Sequence, residues 1–139
     1  MSDDALKSLL ANSHGGVLVT LKRDGRPQLS NVSHTYDRGT GLLRVSVTAD
    51  RAKTKNLARD PRASYHVSSK DFWHWVVAEG IAELTPVAAE PDDATVKELI
   101  DVYRAIGGEH PDWNDYRAAM VRDQRLVVRL PVTRVYGSA

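Results

Sequence analysis

The chain has 139 residues, a formal net charge of +1, no cysteine, 42% hydrophobic residues and 27% charged residues. That length suits one domain over residues 1–139, and the composition is that of a globular chain. Without cysteine there is no disulfide, thiolate metal site or cysteine nucleophile. A near-neutral charge gives no general attraction to nucleic acid, so any recognition of anions must be local. No apolar run reaches membrane-spanning length, and Met1 to Asp4 lack the basic-then-apolar order of an export signal. A cytoplasmic protein is expected, with neither membrane nor nucleic acid as a partner.

In chain order, Leu6, Leu9 and Leu10 follow helical spacing, which predicts a short amphipathic helix over residues 3–12 with Ser2 or Asp3 as its cap. Val17 to Lys22 is rich in β-formers and Arg23-Asp24-Gly25-Arg26 is a tight-turn signal, predicting a hairpin whose return strand runs from Pro27 towards Tyr36. A second turn, Asp37 to Gly41, leads into Leu42 to Thr48, and the three strands read as a meander. In the third strand Leu43, Val45 and Val47 alternate with Arg44, Ser46 and Thr48, so one face is buried and the polar face is wet or occupied. Asp50 is the expected cap of a short helix that Asp60-Pro61 stops after Arg59. Arg62 to Val67 is another strand. Phe72 to Leu84 reads as a longer one, with Trp73, Trp75 and Val77 on one face and a bulge at Gly80. Val96, Leu99, Ile100, Tyr103 and Ile106 predict a helix capped by Asp93, and a second follows from Trp113 to Val121, capped by Asp112. Leu126 to Tyr136 closes the chain as a strand whose Pro131 needs an edge or a bulge. Antiparallel strands with helices inserted late predict the α+β class, mainly β, as a small barrel or strongly coiled sheet.

The stretch Thr48 to Leu57 joins a strand to a basic helix. A helix start presents unpaired amides and partial positive charge, and Arg51 and Lys53 add full charges, so an anion such as phosphate is the expected guest. Two residues apart, Arg51 and Lys53 converge only at the helix entrance, where the amides of Ala52 to Thr54 and the Thr54 hydroxyl are at hand. Spacing alone leaves a second reading open, a solvated basic face formed by Arg51, Lys55 and Arg59 at i, i+4 intervals.

Gln28, Ser30 and Asn31 occupy a strand expected to neighbour the one holding Ser46. Their amides and hydroxyls suit the edge of a heteroaromatic ring, with a wet outer sheet face as the bland alternative. Trp73 and Trp75 suit a flat cofactor or an interface as well as a core. No serine elbow, glycine-rich phosphate loop, metal-ligand pattern or carboxylate pair stands out, so neither a catalytic side chain nor a metal site is assigned.

The run Asp24-Gly25-Arg26-Pro27-Gln28-Leu29-Ser30-Asn31-Val32, followed by Arg51-Ala52-Lys53-Thr54-Lys55-Asn56-Leu57, Asp60-Pro61-Arg62-Ala63, Ala78-Glu79-Gly80 and Val135-Tyr136-Gly137, resembles the pyridoxamine-phosphate-oxidase-like flavin and deazaflavin proteins. The likeness is nearest to their branch dependent on coenzyme F420. It implies an FMN-binding-like split β-barrel acting as a homodimer, with cofactor sites at the subunit interface. It implies that Arg51 and Lys53 hold the cofactor phosphate, that Ala52 and Thr54 contribute from the same turn, that Gln28, Asn31 and Ser46 line the ring or its side chain, and that Trp73 approaches from the partner. Lys55 and Arg59 suit the polyglutamate tail of F420, and Asn56 stands where many FMN oxidases carry a longer polar residue. The resemblance thus implies a reductase passing a hydride from reduced F420 to a small electrophilic molecule. A proton must follow the hydride, from solvent or from a nearby side chain such as His74 or Tyr65. An FMN-dependent oxidase of the pyridoxamine-phosphate type and an F420 carrier without turnover are the alternatives.

Overall fold

The computed structural model describes residues 3–139, so Ser2, one of the two expected caps of the first helix, lies outside the described residues. The elements are α1 (Asp3–Ala11), β1 (Gly15–Leu21), β2 (Pro27–Ser33), β3 (Thr35–Asp37), β4 (Leu42–Thr48), α2 (Ala52–Arg59), β5 (Arg62–Ser68), β6 (Trp75–Ile81), β7 (Glu83–Leu84), α3 (Ala94–Gly107), α4 (Trp113–Arg122) and β8 (Arg125–Ser138). The strands pair in the order β2-β1-β5-β6-β8-β4-β3, with β7 also on β8. Every ladder is antiparallel. The result is a coiled antiparallel sheet carrying four short helices, the split-barrel α+β architecture.

The long strand β8 is the reason one sheet can curl this far. Its first half pairs with β4, its second half with β6, and it changes partner beside Pro131, which donates no amide and is tolerated at such a break. The register slips there, Glu79 facing Arg134 and Gly80 facing Val132, so Thr133 is the extra residue of a bulge. Gly80 is required at this crossing because a Cβ would stand 2.2 Å from the Pro131 carbonyl oxygen. The bulge expected at Gly80 is therefore present, with its extra residue on the partner strand.

Alternation sets which side chains meet inside. Leu43, Val45 and Val47 face Leu130, Val128 and Leu126 across the β4–β8 ladder, and all are buried. Leu18, Tyr65, Val67, Val76 and Ala78 complete this core, and α1 closes it with Leu6 and Leu10, one turn apart on its inner face. Burying each such leucine contributes roughly 1.5–3 kcal/mol. A second core lies on the other face of β4 and β8, where Val127 packs against Val96 and Leu99 of α3 and Tyr116 and Met120 of α4. Both helices carry the caps their sequence called for: Asp93 accepts from the Val96 amide and Asp112 from the Asp115 amide. On that same outer face Arg129 and Arg44 pair with Glu98 of α3, pinning the helix pair to the sheet.

Four expectations change. The first three strands are not a meander: the chain turns at His34, so β2 ends one edge of the sheet while β3 and β4 begin the other. The strand with Asn31 is consequently not hydrogen-bonded to the strand with Ser46, and the barrel is split between them. The strand expected from Phe72 starts only at Trp75, because residues 69–74 form a turn held by Ser69 and Asp71. Asp50 does not cap α2: its carboxylate accepts from the Thr48 hydroxyl, and Arg51 occupies the cap position with no side-chain hydrogen bond.

The turn at His34 carries a buried polar pair. A carbonyl can only accept, so His34 Nε2 donates to the Leu10 carbonyl at 3.0 Å, and its Nδ1 must then accept from the Tyr65 hydroxyl at 2.6 Å. Both side chains are fully buried. Burial first, and the nearby His14 as well, push the His34 pKa down against the Leu10 hydrogen bond, while burial pushes that of Tyr65 up. The neutral imidazole thus tethers α1 to the sheet, and Tyr65 is engaged in the core rather than free to donate a proton to a ligand.

Candidate functional site

The polar face of β4 was expected to be wet or occupied, and it forms one wall of a cavity of about 720 Å³. Ser46 and Thr48 project into it from β4, and Arg125 joins them because β8 pairs Thr48 with Arg125 in register. Arg51 and Lys53 enter at the start of α2. The end of β2 supplies Asn31, Val32 and Ser33 from across the split in the barrel. The rest of the lining comes from Val102, Tyr103 and Ile106 of α3, Tyr116 and Met120 of α4, and Asp123 just beyond α4, so the cavity combines a cationic helix entrance with a largely apolar, aromatic wall edged by one carboxylate.

The helix entrance is built for an anion. The Thr54 hydroxyl donates to the Thr48 carbonyl at 2.8 Å, strapping the first turn of α2 to the end of β4. Arg51 at the cap position makes no side-chain hydrogen bond, so among the described residues the first turn of α2 keeps amides that no side chain caps. Arg51, Lys53 and Arg125 line the same space, and among the described residues none of the three forms an ion pair. Arg125 reaches the Ser46 hydroxyl at 3.3 Å. Burial, then repulsion from Arg51 and Arg125, holds the Lys53 pKa below the ordinary lysine value. Asp123 lines the cavity as well, but among the described residues it pairs with Arg122 rather than with any of the three, so the cations keep a mutual repulsion that a bound anion relieves.

The sequence-predicted residues separate into groups. Asn31, Ser46, Arg51 and Lys53 meet at the cavity. Gln28 and Ser30 do not: they pair with Thr20 and Leu18, on the face of β2 opposite Asn31, because neighbours on a strand point to opposite sides. Ala52 faces a different groove with Lys55, Arg59, Lys22 and Arg23, on the far side of α2. Arg59 is further occupied by the Leu21 carbonyl and Asn56 Oδ1. Lys55 and Arg59 therefore lie outside the cavity, which removes the charge argument for an extended anionic tail there. Thr54 is buried behind the site and acts on its backbone. Trp73, 80% exposed, sits with the 81% exposed Phe72 in the 69–74 turn. His74 is exposed in that turn as well. Arg125 and the α3–α4 wall escaped sequence reasoning. For Arg125 the signal is a pairing 77 positions away in the chain, and the wall residues read as ordinary core at helical spacing.

Among the described residues no cluster of His, Asp or Glu could hold a metal ion, and no helix is long and apolar enough to cross a membrane. A family model described as pyridoxamine 5'-phosphate oxidase matches residues 2–139. Among solved structures, a conserved hypothetical protein of Mycobacterium tuberculosis is 23% identical with a TM-score of 0.75, covering 99% of this chain and 84% of that one. A protein named as an F420 reductase is 23% identical with a TM-score of 0.69, covering 94% of both chains. A FAD-binding protein of Mesorhizobium loti is 18% identical with a TM-score of 0.69, covering 99% of this chain and 92% of that one. These likenesses carry the fold.

Proposed function

Since the chain belongs to the pyridoxamine 5'-phosphate oxidase family, we propose that it is an oxidoreductase that uses reduced coenzyme F420 to reduce a small electrophilic organic molecule. The observation that carries this reading is the trio Arg51, Lys53 and Arg125, free of ion pairs among the described residues and gathered at a helix start without a side-chain cap, beside a large cavity. The donor set fits a phosphate-bearing redox cofactor: cations and free amides for the phosphate, Ser46 and Asn31 for hydrogen bonds to the rest of the molecule. When bound, such a cofactor supplies the hydride. The protein's own part is to hold the phosphate, to orient what extends from it along β4 and the end of β2, and to exclude water with the α3–α4 wall.

We further read the working form as a homodimer with a small-molecule substrate. The outer face of the sheet leaves Leu29 and Tyr136 exposed, and the 69–74 turn adds Phe72 and Trp73. Phe72 adopts a left-handed φ of 71°, a conformation that costs a bulky residue energy and that five hydrogen bonds within the turn maintain. A second copy covering this face would bury aromatics that monomers seldom leave in water, and would bring Trp73 to its partner's cavity.

A flavin reading has a specific observation in its favour: Lys55 and Arg59 lie away from the cavity, so the site offers no further cations for a polyglutamate tail. Calorimetric titration with F420 and with FMN decides between them. The proposal expects F420 to bind about ten-fold tighter or better, ~1.4 kcal/mol. The reverse order moves the protein to the FMN enzymes, and binding of neither removes the phosphate site. Oxidation of reduced F420 in the presence of an electrophile panel separates a reductase from a carrier.

A further inference from the structure

The cavity is larger than a phosphate grip requires. At ~30 Å³ per water it has room for about two dozen; Arg51 and Lys53 enter it at the start of α2, while Arg125 stands close enough to Tyr116 to bear on its hydroxyl. The α3–α4 wall is a unit in itself. Val102 and Ile106 lie one turn apart on α3, and Tyr116 and Met120 one turn apart on α4, which aims all four at the same space. Tyr103 stands among them with its ring clamped by His110 at 5.3 Å, Trp113 at 5.7 Å and Tyr116 at 5.1 Å between centroids. Arg104 lies over Trp113 and pairs with Glu109, which also accepts from the Trp113 indole, so the clamp is itself braced.

Two hydroxyls belong to this wall, and they differ. That of Tyr116 donates to the Leu99 carbonyl at 3.1 Å. Among the described residues that of Tyr103 has no hydrogen-bond partner from the protein, and no buried side-chain polar atom is left unsatisfied, so it is not sealed from solvent, and Tyr103 lines the cavity. A fixed aromatic ring with a free hydroxyl, set in a largely apolar wall, is a preorganised hydrogen-bonding group. Charged groups gain nothing from its apolar part, Val102, Ile106 and Met120, because taking them from water to apolar contact is costly.

We propose that the α3–α4 wall is the acceptor subsite, that it takes an uncharged, flat, ring-bearing molecule with a carbonyl or similar acceptor, and that Tyr103 is the residue that orients this molecule by hydrogen bonding. The inference rests on the oxidoreductase reading for the word acceptor, but its binding chemistry is independent of any cofactor. Tyr103 acts here as a positioning and specificity residue, and no proton transfer is assigned to it.

The test uses the full-length protein and the neutral naphthalene ketone prodan, whose emission moves to the red when its carbonyl accepts a hydrogen bond. Saturable binding at one site per chain is expected. Tyr103→Phe keeps the ring and should shift bound emission to the blue with about a three-fold loss of affinity, the worth of one neutral hydrogen bond. Ile106→Asp should weaken prodan about ten-fold or more by placing a carboxylate in the wall, with Ile106→Ala as the milder companion if the aspartate unfolds the helix pair. In turnover, Tyr103→Phe should raise KM for neutral aromatic ketones more than it lowers kcat. Unchanged emission in Tyr103→Phe, or unchanged affinity in both Ile106 variants, overturns the subsite and places the dye elsewhere, for instance on Phe72 and Trp73. Prodan binding as expected with no affinity for F420 or FMN supports the subsite while defeating the cofactor reading, so the two failures are distinguishable.

Discussion

Replacing Lys53 with alanine removes the cation that the cavity holds under the most strain. Burial and the charges of Arg51 and Arg125 depress its pKa, and among the described residues it forms no ion pair. A hydrogen bond from a charged donor to an anionic ligand is worth ~1.5–3 kcal/mol net, which is about 10–150-fold in Kd at ~1.4 kcal/mol per decade. The partial burial of Lys53 places its loss in the upper half of that range, and the more exposed Arg51→Ala in the lower half. Thermal stability should not fall in Lys53→Ala, because no ion pair is broken and repulsion is relieved. The control is the double variant Lys55→Ala with Arg59→Ala, which removes more charge but from the opposite side of α2. At ~0.1 M salt, where screening acts over ~10 Å, that variant should change Kd less than about two-fold. Calorimetry with F420 and FMN reads both. Equal losses in the two variants would mean that general attraction rather than a phosphate grip governs binding, and an unchanged Kd in Lys53→Ala would return the junction to a solvated basic face. The pH dependence has a defined sign: with its pKa lowered, Lys53 deprotonates earlier than an ordinary lysine as pH rises, so affinity declines through that lowered value, and a bound anion restores the proton.

The remaining predictions concern the scaffold and its surface. The folded His34 pKa lies below the ordinary ~6.5, so the unfolded chain takes up the proton first. Stability is then full above that value and falls as pH drops through it towards the lower folded one, which urea midpoints at pH 7.5 and 5 measure. Tyr65→Phe leaves His34 Nδ1 buried without a donor and should cost ~1–3 kcal/mol in the same assay. Gly80→Ala drives a methyl onto the Pro131 carbonyl and should cost ~1–3 kcal/mol, with protection lost from amide exchange where β6 meets β8. Phe72→Ala with Trp73→Ala should shift the mass measured by light scattering from dimer to monomer; an unchanged dimer would place the interface elsewhere.

The strongest readings in the sequence were those that depend on neighbours in the chain. The alternation of Leu42 to Thr48, the 3.6-residue spacing of α3, the caps Asp93 and Asp112 and the glycine at the β6–β8 crossing are local statements, and each element formed where its own residues favoured it. The strand-to-helix junction was legible for the same reason, since a helix start and two cations are close in sequence. Reading failed where a choice between two faces or two partners had to be made. Gln28, Ser30 and Asn31 form one polar run, but pleating sends Asn31 to the face opposite the other two. Arg51, Lys53, Lys55 and Arg59 form one basic run, but the helix divides it between two grooves.

By itself, then, the sequence determined the elements, the class of fold and the anion-seeking character of the junction, because periodicity, capping and charge act over a few residues. Tertiary structure alone decided that β2 and β4 would be the walls of a split rather than neighbours in a meander. It also decided that Arg125 would complete the cation trio through its pairing with Thr48, and that α3 and α4 would line the same cavity as that trio. Those outcomes depend on which strands pair and in what register, and the free energy that selects a register is spread over the whole sheet rather than over any one stretch of it.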